Sequence, residues 1–186
     1  MEMRTGVVVW MTGMSGAGKS TIARELVVKL QNEGVRAIAL DGDVLRAGLN
    51  SDLGFSAADR SENLRRVAHV AALFCDEGYA VITATISPEP EHRQNARRIA
   101  GSKRFIEVFV DTPLFICESR DPKGLYKRAR GGSIAGFTGI DSPYRAPTNP
   151  DIVLRTADRS AEECVQQLYA ALPLQRCLAQ VERSPC

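Results

Sequence analysis

An α/β fold, a parallel sheet of about five strands with helices covering both faces, is predicted by two features of the chain. The first is alternation. Apolar runs recur at 6–12, 35–40, 79–84, 105–110 and 152–154, with helical patterns between them. The second is the passage from the run Val7-Val8-Val9-Trp10-Met11 into Gly13-Met14-Ser15-Gly16-Ala17-Gly18-Lys19-Ser20, and from there into a helical stretch over Thr21–Leu30. That order, strand then glycine-rich loop then helix, is the setting of the phosphate-binding loop G-x-x-x-x-G-K-[ST].

Each part of that first unit has a physical reason. Gly13, Gly16 and Gly18 let the backbone curl until successive N–H groups point inward at phosphate oxygens. Lys19 can reach the terminal phosphates, and the Ser20 hydroxyl is placed to ligate Mg²⁺. The helix that follows turns its positive end toward the same anion. Residues Gly13 through Thr21 are therefore the predicted nucleoside triphosphate site.

The second run ends in Asp41-Gly42-Asp43. Ligands of open parallel sheets sit beyond the carboxyl ends of the strands, so both carboxylates are expected in the same cleft as the loop. Phosphoryl transfer to an alcohol needs alignment, a metal ion and an acceptor for the proton. One carboxylate can stand near the metal, directly or through water, and the other beside the nucleophile. Standing alone, the same three residues would read as a solvated turn.

Further along, Leu64, Val67, Ala71 and Phe74 fall on one stripe of a helix over Asp59–Glu77. Ser56 through Asp59 offers its capping start and Gly78 its stop. Arg60 and Asn63 share a face in its first turn, whereas Arg65 and Arg66 point elsewhere and suit a wet surface equally well. Thr112-Pro113 reads as an N-cap and first helical residue, and Ser160-x-x-Glu163 as a capping box. Residues 131–150, rich in Gly, Pro, Asp and Ser, suit a long ordered loop or a lid over a ligand. Residues 174–186 are expected as a loose or docking tail.

Composition narrows the class. The 186 residues carry a net charge of +2, so bulk electrostatics point to neither nucleic acid nor a membrane surface. One domain is expected at this length. No apolar stretch approaches a membrane span, and with no secretory h-region ahead of the first strand a secreted protein is not expected. Five cysteines show no C-x-x-C spacing. Cys75, Cys117 and Cys164 fall in helical patterns as buried thiols, and a reducing cytoplasm is the expected compartment.

Taken in order, these segments resemble the adenylylsulfate kinase (APS kinase) family over Val7 to about Thr156, most of the chain. The resemblance rests on Gly13-x-Ser-Gly-x-Gly-Lys-Ser20, Leu-Asp-Gly-Asp-x-x-Arg46, and Asp-Leu-Gly-Phe55-Ser-x-x-Asp-Arg60-x-Glu-Asn63-x-Arg-Arg66. It continues through Ile86-Ser87-Pro88, Phe-Ile-Glu-Val-Phe-Val-Asp-Thr-Pro113, Arg120-Asp-Pro-Lys123-Gly-Leu-Tyr-Lys, Phe137-Thr-Gly-Ile-Asp141, Pro143-Tyr144 and Ala146-Pro147. It implies a P-loop kinase with a lid segment that moves the γ-phosphoryl group of ATP, with Mg²⁺, to the 3′-hydroxyl of adenylylsulfate. It also implies a homodimer, and a sulfurylase in the same pathway.

Residue by residue, the resemblance puts Phe55 and Phe137 on the two faces of the acceptor's adenine. Arg46 and Arg60 would hold its phosphosulfate, with Asn63, Ile86, Ser87 and Lys123 around the nucleotide. Asp43 would take or orient the hydroxyl proton, and Lys19 would stabilise the moving phosphoryl group. Arg120 would lie near the ATP adenine, and 123–144 would form the lid. Ser87 matches the family's phosphoserine position, although direct in-line transfer needs no such carrier and no neighbouring base is evident.

Three departures fall around the acceptor rather than the ATP loop. Ala47 stands where the family usually has His, Thr85 where Phe is common, and Glu89-Pro90 where Tyr-Arg is typical. They leave open a related kinase with another nucleotide conjugate or a different alcohol as acceptor. A non-catalytic nucleotide-binding regulator is the other alternative, against which intact Lys19, Ser20, Asp41 and Asp43 count.

Overall fold

The computed structural model describes residues 6–173. The tail 174–186, with Cys177 and Cys186, lies outside the described residues. Five strands form one wholly parallel sheet: β1 (Val7–Thr12), β2 (Ala37–Asp41), β3 (Ala80–Ala84), β4 (Phe105–Asp111) and β5 (Ile152–Arg155), in the order β2-β3-β1-β4-β5. The helices are α1 (Lys19–Asn32), α2 (Gly42–Ala47), α3 (Ala57–Asp76), α4 (Pro90–Ala100), α5 (Leu114–Arg120), α6 (Leu125–Arg130) and α7 (Ala161–Ala171).

The central strand explains the sheet. All six residues of β1 are buried, as expected of a strand covered on both faces. Val7, Val9 and Met11 pack with Ile22, Leu26 and Leu30 of α1 and Leu168 of α7. Val8 and Trp10 turn to the other face and pack with Leu64, Val67 and Ala71 of α3. The period of two along a strand divides one apolar run between two cores. The single tryptophan is fully buried and stacks on Phe105, with ring centroids 5.8 Å apart.

Topology fixes where the chemistry goes. The chain leaves β1 for β2, returns beside β1 as β3, and then passes to its other side as β4. The reversal opens a crevice at the carboxyl end of β1, where the glycine-rich loop begins. The two ends of the described stretch lie at the opposite edge: Val7 N bonds Tyr79 O, and Lys29 near the end of α1 sits 4.4 Å above the Tyr169 ring near the end of α7. No helix among the described residues is long and apolar enough to cross a membrane.

The expected strands and helices are present, with boundaries moved by a few residues. The long helix starts at Ala57, capped by Ser56 Oγ on Asp59 N, and ends at Asp76. The capping box at Ser160 and Glu163 is complete on both sides. One boundary needs correction. Pro113 rather than Thr112 is the N-cap of α5, and the helix begins at Leu114. The Thr112 hydroxyl lies instead against Thr156 Oγ1 at 2.6 Å and Ala17 O at 3.3 Å. Cys75, Cys117 and Cys164 are buried in α3, α5 and α7.

Candidate active site

The loop Gly13–Ser20 is shaped by close packing. A side chain at Gly13 would bring its Cβ to 2.6 Å from Val110 O, and one at Gly16, where φ is 75°, to 2.8 Å from Cys117 O. Only glycine lets the loop lie this close to β4 and α5. The loop's outward carbonyls are held from behind: the Tyr126 hydroxyl donates to Ser15 O at 2.9 Å, and Thr156 Oγ1 to Ala17 O at 3.0 Å. With the carbonyls held and Ala17 N turned back to Met14 O at 3.2 Å, the amide groups of Gly16, Gly18, Lys19 and Ser20 face the start of α1, where an anion would sit. Met14, Ser15, Gly18 and Ser20 are half-buried around that mouth, Ala17 is buried beneath it and Thr21 is exposed.

Lys19 lies across the loop and donates to Gly13 O at 2.8 Å and Met14 O at 2.7 Å. Burial pulls its pKa down to about 8, against the opposing pull of Cys117, Asp43 and Asp41. Phosphate oxygens in place of those two carbonyls would favour its charged form. Arg120, at the end of α5, donates to Thr156 O, Thr156 Oγ1 at 3.0 Å and Gly16 O at 3.4 Å, beside the loop.

Opposite the loop, Asp41 caps α2, its Oδ1 accepting from Asp43 N at 2.9 Å. Asp43 follows in the first turn, exposed, and is ion-paired with Lys123. No cluster of three or more acidic, His or Cys side chains suited to a metal gathers among the described residues. The oxygen donors at hand, the half-buried Ser20 hydroxyl and Asp41, fit Mg²⁺, which keeps several waters and takes much of its coordination from nucleotide phosphates.

A cationic pocket lies beyond Asp43. Arg46 donates to Gly54 O at 3.0 Å, and its guanidinium sits 4.5 Å over the ring of Phe55, which is 67% exposed. Both guanidiniums crowd at Phe55, and burial and then the like charge of Arg60 lower the Arg46 pKa. Arg60 donates from Nε to Phe55 O at 2.9 Å, from Nη1 to Thr138 Oγ1 at 2.8 Å, and from Nη2 to Gly136 O. One guanidinium thus fastens the Phe55 loop to the Phe137 loop. Asp141 seals the second by accepting from the amides of Gly136 and Phe137, and these bonds hold its carboxyl below the usual range. Phe137 is half-buried, edge-on to Tyr126 with centroids 5.0 Å apart.

Other expected residues take less exposed places. Asn63 is buried, its Oδ1 accepting from Asn50 Nδ2 at 2.9 Å. Arg65 and Arg66 turn away to ion-pair with Glu62, and Arg66 also with Asp52. Ile86 and Ser87 follow β3, and Ile86 O accepts from Gly13 N at 3.3 Å. The segment 123–144 comprises α6 and a loop whose far end is fastened by Tyr144, with its hydroxyl 2.9 Å from Thr12 Oγ1. Arg145 adds a bond from its amide to Pro88 O and an ion pair of 3.4 Å with Glu89. Tyr126, Thr156 and the buried Arg93–Glu107 pair at 2.9 Å support the site but carry no sequence signal that singles them out.

A phosphate loop at the sheet's reversal, facing carboxylates and a cationic, aromatic pocket, defines a P-loop kinase. Within that class, residues 5–155 match the family described as adenylylsulphate kinase. The chain belongs to that family. An adenylyl-sulfate kinase of Paraburkholderia xenovorans is 58% identical over 172 residues, 92% of this chain and 96% of the relative. The bifunctional enzyme CysN/CysC of Mycobacterium tuberculosis is 56% identical over 169 residues, 90% of this chain but 27% of that longer protein. The solved APS kinase CysC of M. tuberculosis, in complex with AMPPNP and APS, aligns with a TM-score of 0.87 and 54% identity, covering 90% of this chain and 97% of that one.

Proposed function

We propose that this protein transfers the γ-phosphoryl group of ATP to the 3′-hydroxyl of adenylylsulfate, giving 3′-phosphoadenylylsulfate and ADP. The carrying observation is the pocket in which Arg60 ties the Phe55 and Phe137 loops together beside Arg46. Two aromatic rings suit an adenine, whose stacking contributes about 1–3 kcal/mol per base. Two crowded cations suit a mixed phosphate–sulfate anhydride, which would relieve their repulsion.

The residues divide the work. The loop Gly13–Ser20 seats the ATP phosphates on its unpaired amides, and Lys19, released from Gly13 O and Met14 O, follows the charge on the transferring group. Arg120 flanks the ATP adenine. Asp43 orients the acceptor hydroxyl and receives its proton, and Lys123 leaves Asp43 for the acceptor's anionic group as the lid closes. Ser20, with Asp41 through water, would hold Mg²⁺, which when bound neutralises charge on the β- and γ-phosphate oxygens. Asn63 steadies the Asn50 turn behind the pocket, and Ile86 and Ser87 form its wall. The Ser87 hydroxyl is buried and accepts from Trp10 Nε1 at 3.0 Å, a placement that favours direct transfer over a phosphoserine carrier. We further propose a cytoplasmic homodimer supplied by a sulfurylase, its assembly to be read by light scattering.

The test measures ADP release with MgATP and adenylylsulfate against a panel of other nucleotide conjugates and alcohols, with products identified by mass. Adenylylsulfate is expected to be the preferred acceptor. Preference for another compound, or ATP binding without turnover, would overturn the assignment.

A further inference from the structure

Two of the residues that shape the acceptor pocket are joined by a side chain that touches neither nucleotide in the mechanism above. Thr85 is buried at the end of β3. Its Oγ1 lies 2.8 Å from Ser87 Oγ. On its other side, the Thr85 Cγ2 methyl lies 3.5 Å from the position a Cβ on Gly42 would occupy, between Asp41 and Asp43. The residue therefore spans the gap between the pocket wall and the turn that carries the proton acceptor.

An indole N–H only donates, so Ser87 Oγ accepts from Trp10 Nε1 at 3.0 Å. The same oxygen shares a second hydrogen bond with Thr85 Oγ1, in which either hydroxyl can be the donor. The Ser87 carbonyl accepts in turn from Arg93 Nη1 at 2.8 Å and Thr12 Oγ1 at 3.2 Å. These bonds hold Ser87 at a φ of 45°, a left-handed conformation that a non-glycine residue adopts only when its surroundings hold it there. The preceding carbonyl, Ile86 O, accepts from Gly13 N and from Thr12 Oγ1 at 2.7 Å, so the same turn is joined to the first residue of the phosphate loop.

We infer that Thr85 is a positioning residue of the acceptor site, its hydroxyl fixing the Ser87 turn that forms the pocket wall. The inference rests on the proposed function for the identity of the acceptor. The Trp10–Ser87–Thr85 relay itself exists in the ligand-free protein.

Valine at 85 keeps the branched shape and removes only the hydroxyl. Thr85→Val is expected to raise the KM for adenylylsulfate about 3- to 10-fold, the scale of one lost hydrogen bond, with kcat and the KM for ATP within about twofold. Thr85→Ser, which restores the hydroxyl, recovers most of the acceptor KM. An unchanged acceptor KM in the valine variant, failure of serine to rescue, or a parallel rise in the ATP KM would overturn the inference. A second measurement needs no substrate. The single tryptophan gives one indole N–H resonance, expected to be slow to exchange in the wild type and displaced in Thr85→Val. An unmoved resonance would remove the relay. If the wild type fails to phosphorylate adenylylsulfate, the proposed function falls, and the indole resonance then decides for or against the relay on its own.

Discussion

Asp43 and Lys19 face each other across the cleft, and each has a placeholder partner in the ligand-free protein: Lys123 for the carboxylate, two loop carbonyls for the ammonium. Asp43→Asn keeps the shape and removes the proposed proton acceptor. Its kcat is expected to fall about 10²- to 10⁴-fold, the usual range for a general base, while ATP affinity is unchanged. Near-normal turnover would exclude Asp43 from the chemistry. Lys19 makes a pH prediction. Its ligand-free pKa of about 8 stands below the ordinary 10.5 because of burial, so its cation is lost progressively as pH rises through about 8. MgATP affinity should therefore decline as pH rises past about 8, and Lys19→Met should flatten that decline. For stability the sign is opposite. The unfolded chain holds this proton more tightly, so on this residue's account the ligand-free fold gains stability between about pH 8 and 10.5.

Among the elements, the junction between the first turn of α3 and the loop at 136–138 decides how well the aromatic pocket is formed. Arg60 reaches both with a fork that lysine cannot reproduce. Arg60→Lys is expected to raise the acceptor KM at least tenfold and leave the ATP KM within twofold, since none of its described bonds reaches the phosphate loop. Equal loss of both would show instead that α3 itself had shifted. Much at this scale was legible in the sequence. The apolar runs became β1 to β5, and the rule that ligands sit at carboxyl strand ends placed Asp41 and Asp43 opposite the loop. Helical spacing put Arg60 and Asn63 on one face of α3, but spacing is silent about what covers that face. Asn63 is buried because Asn50 folds back onto it, a contact 13 residues away. The Arg60 bonds to Gly136 and Thr138 span 76 and 78 residues, a separation that no local pattern encodes. Thr112 was displaced from its expected cap because its hydroxyl has better partners in Thr156 and Ala17.

Over the whole molecule, the sheet separates what stabilises from what reacts. Leu26 is fully buried on the inner face of α1, away from the crevice. Leu26→Ala should cost about 2–5 kcal/mol of unfolding free energy, read by denaturant titration, while both KM values below the new melting temperature stay near wild type. A large change in KM would show that the core and the loop are less independent than the layers suggest. The same separation governs handling of the protein. Because both ends of the described stretch emerge at the edge opposite the crevice, an anchor joined at either one, whether a resin bead or a companion enzyme, would stand across the sheet from the reacting groups. Nucleotides would then come and go on the open side, and a tethered catalyst should turn over as fast as one free in solution.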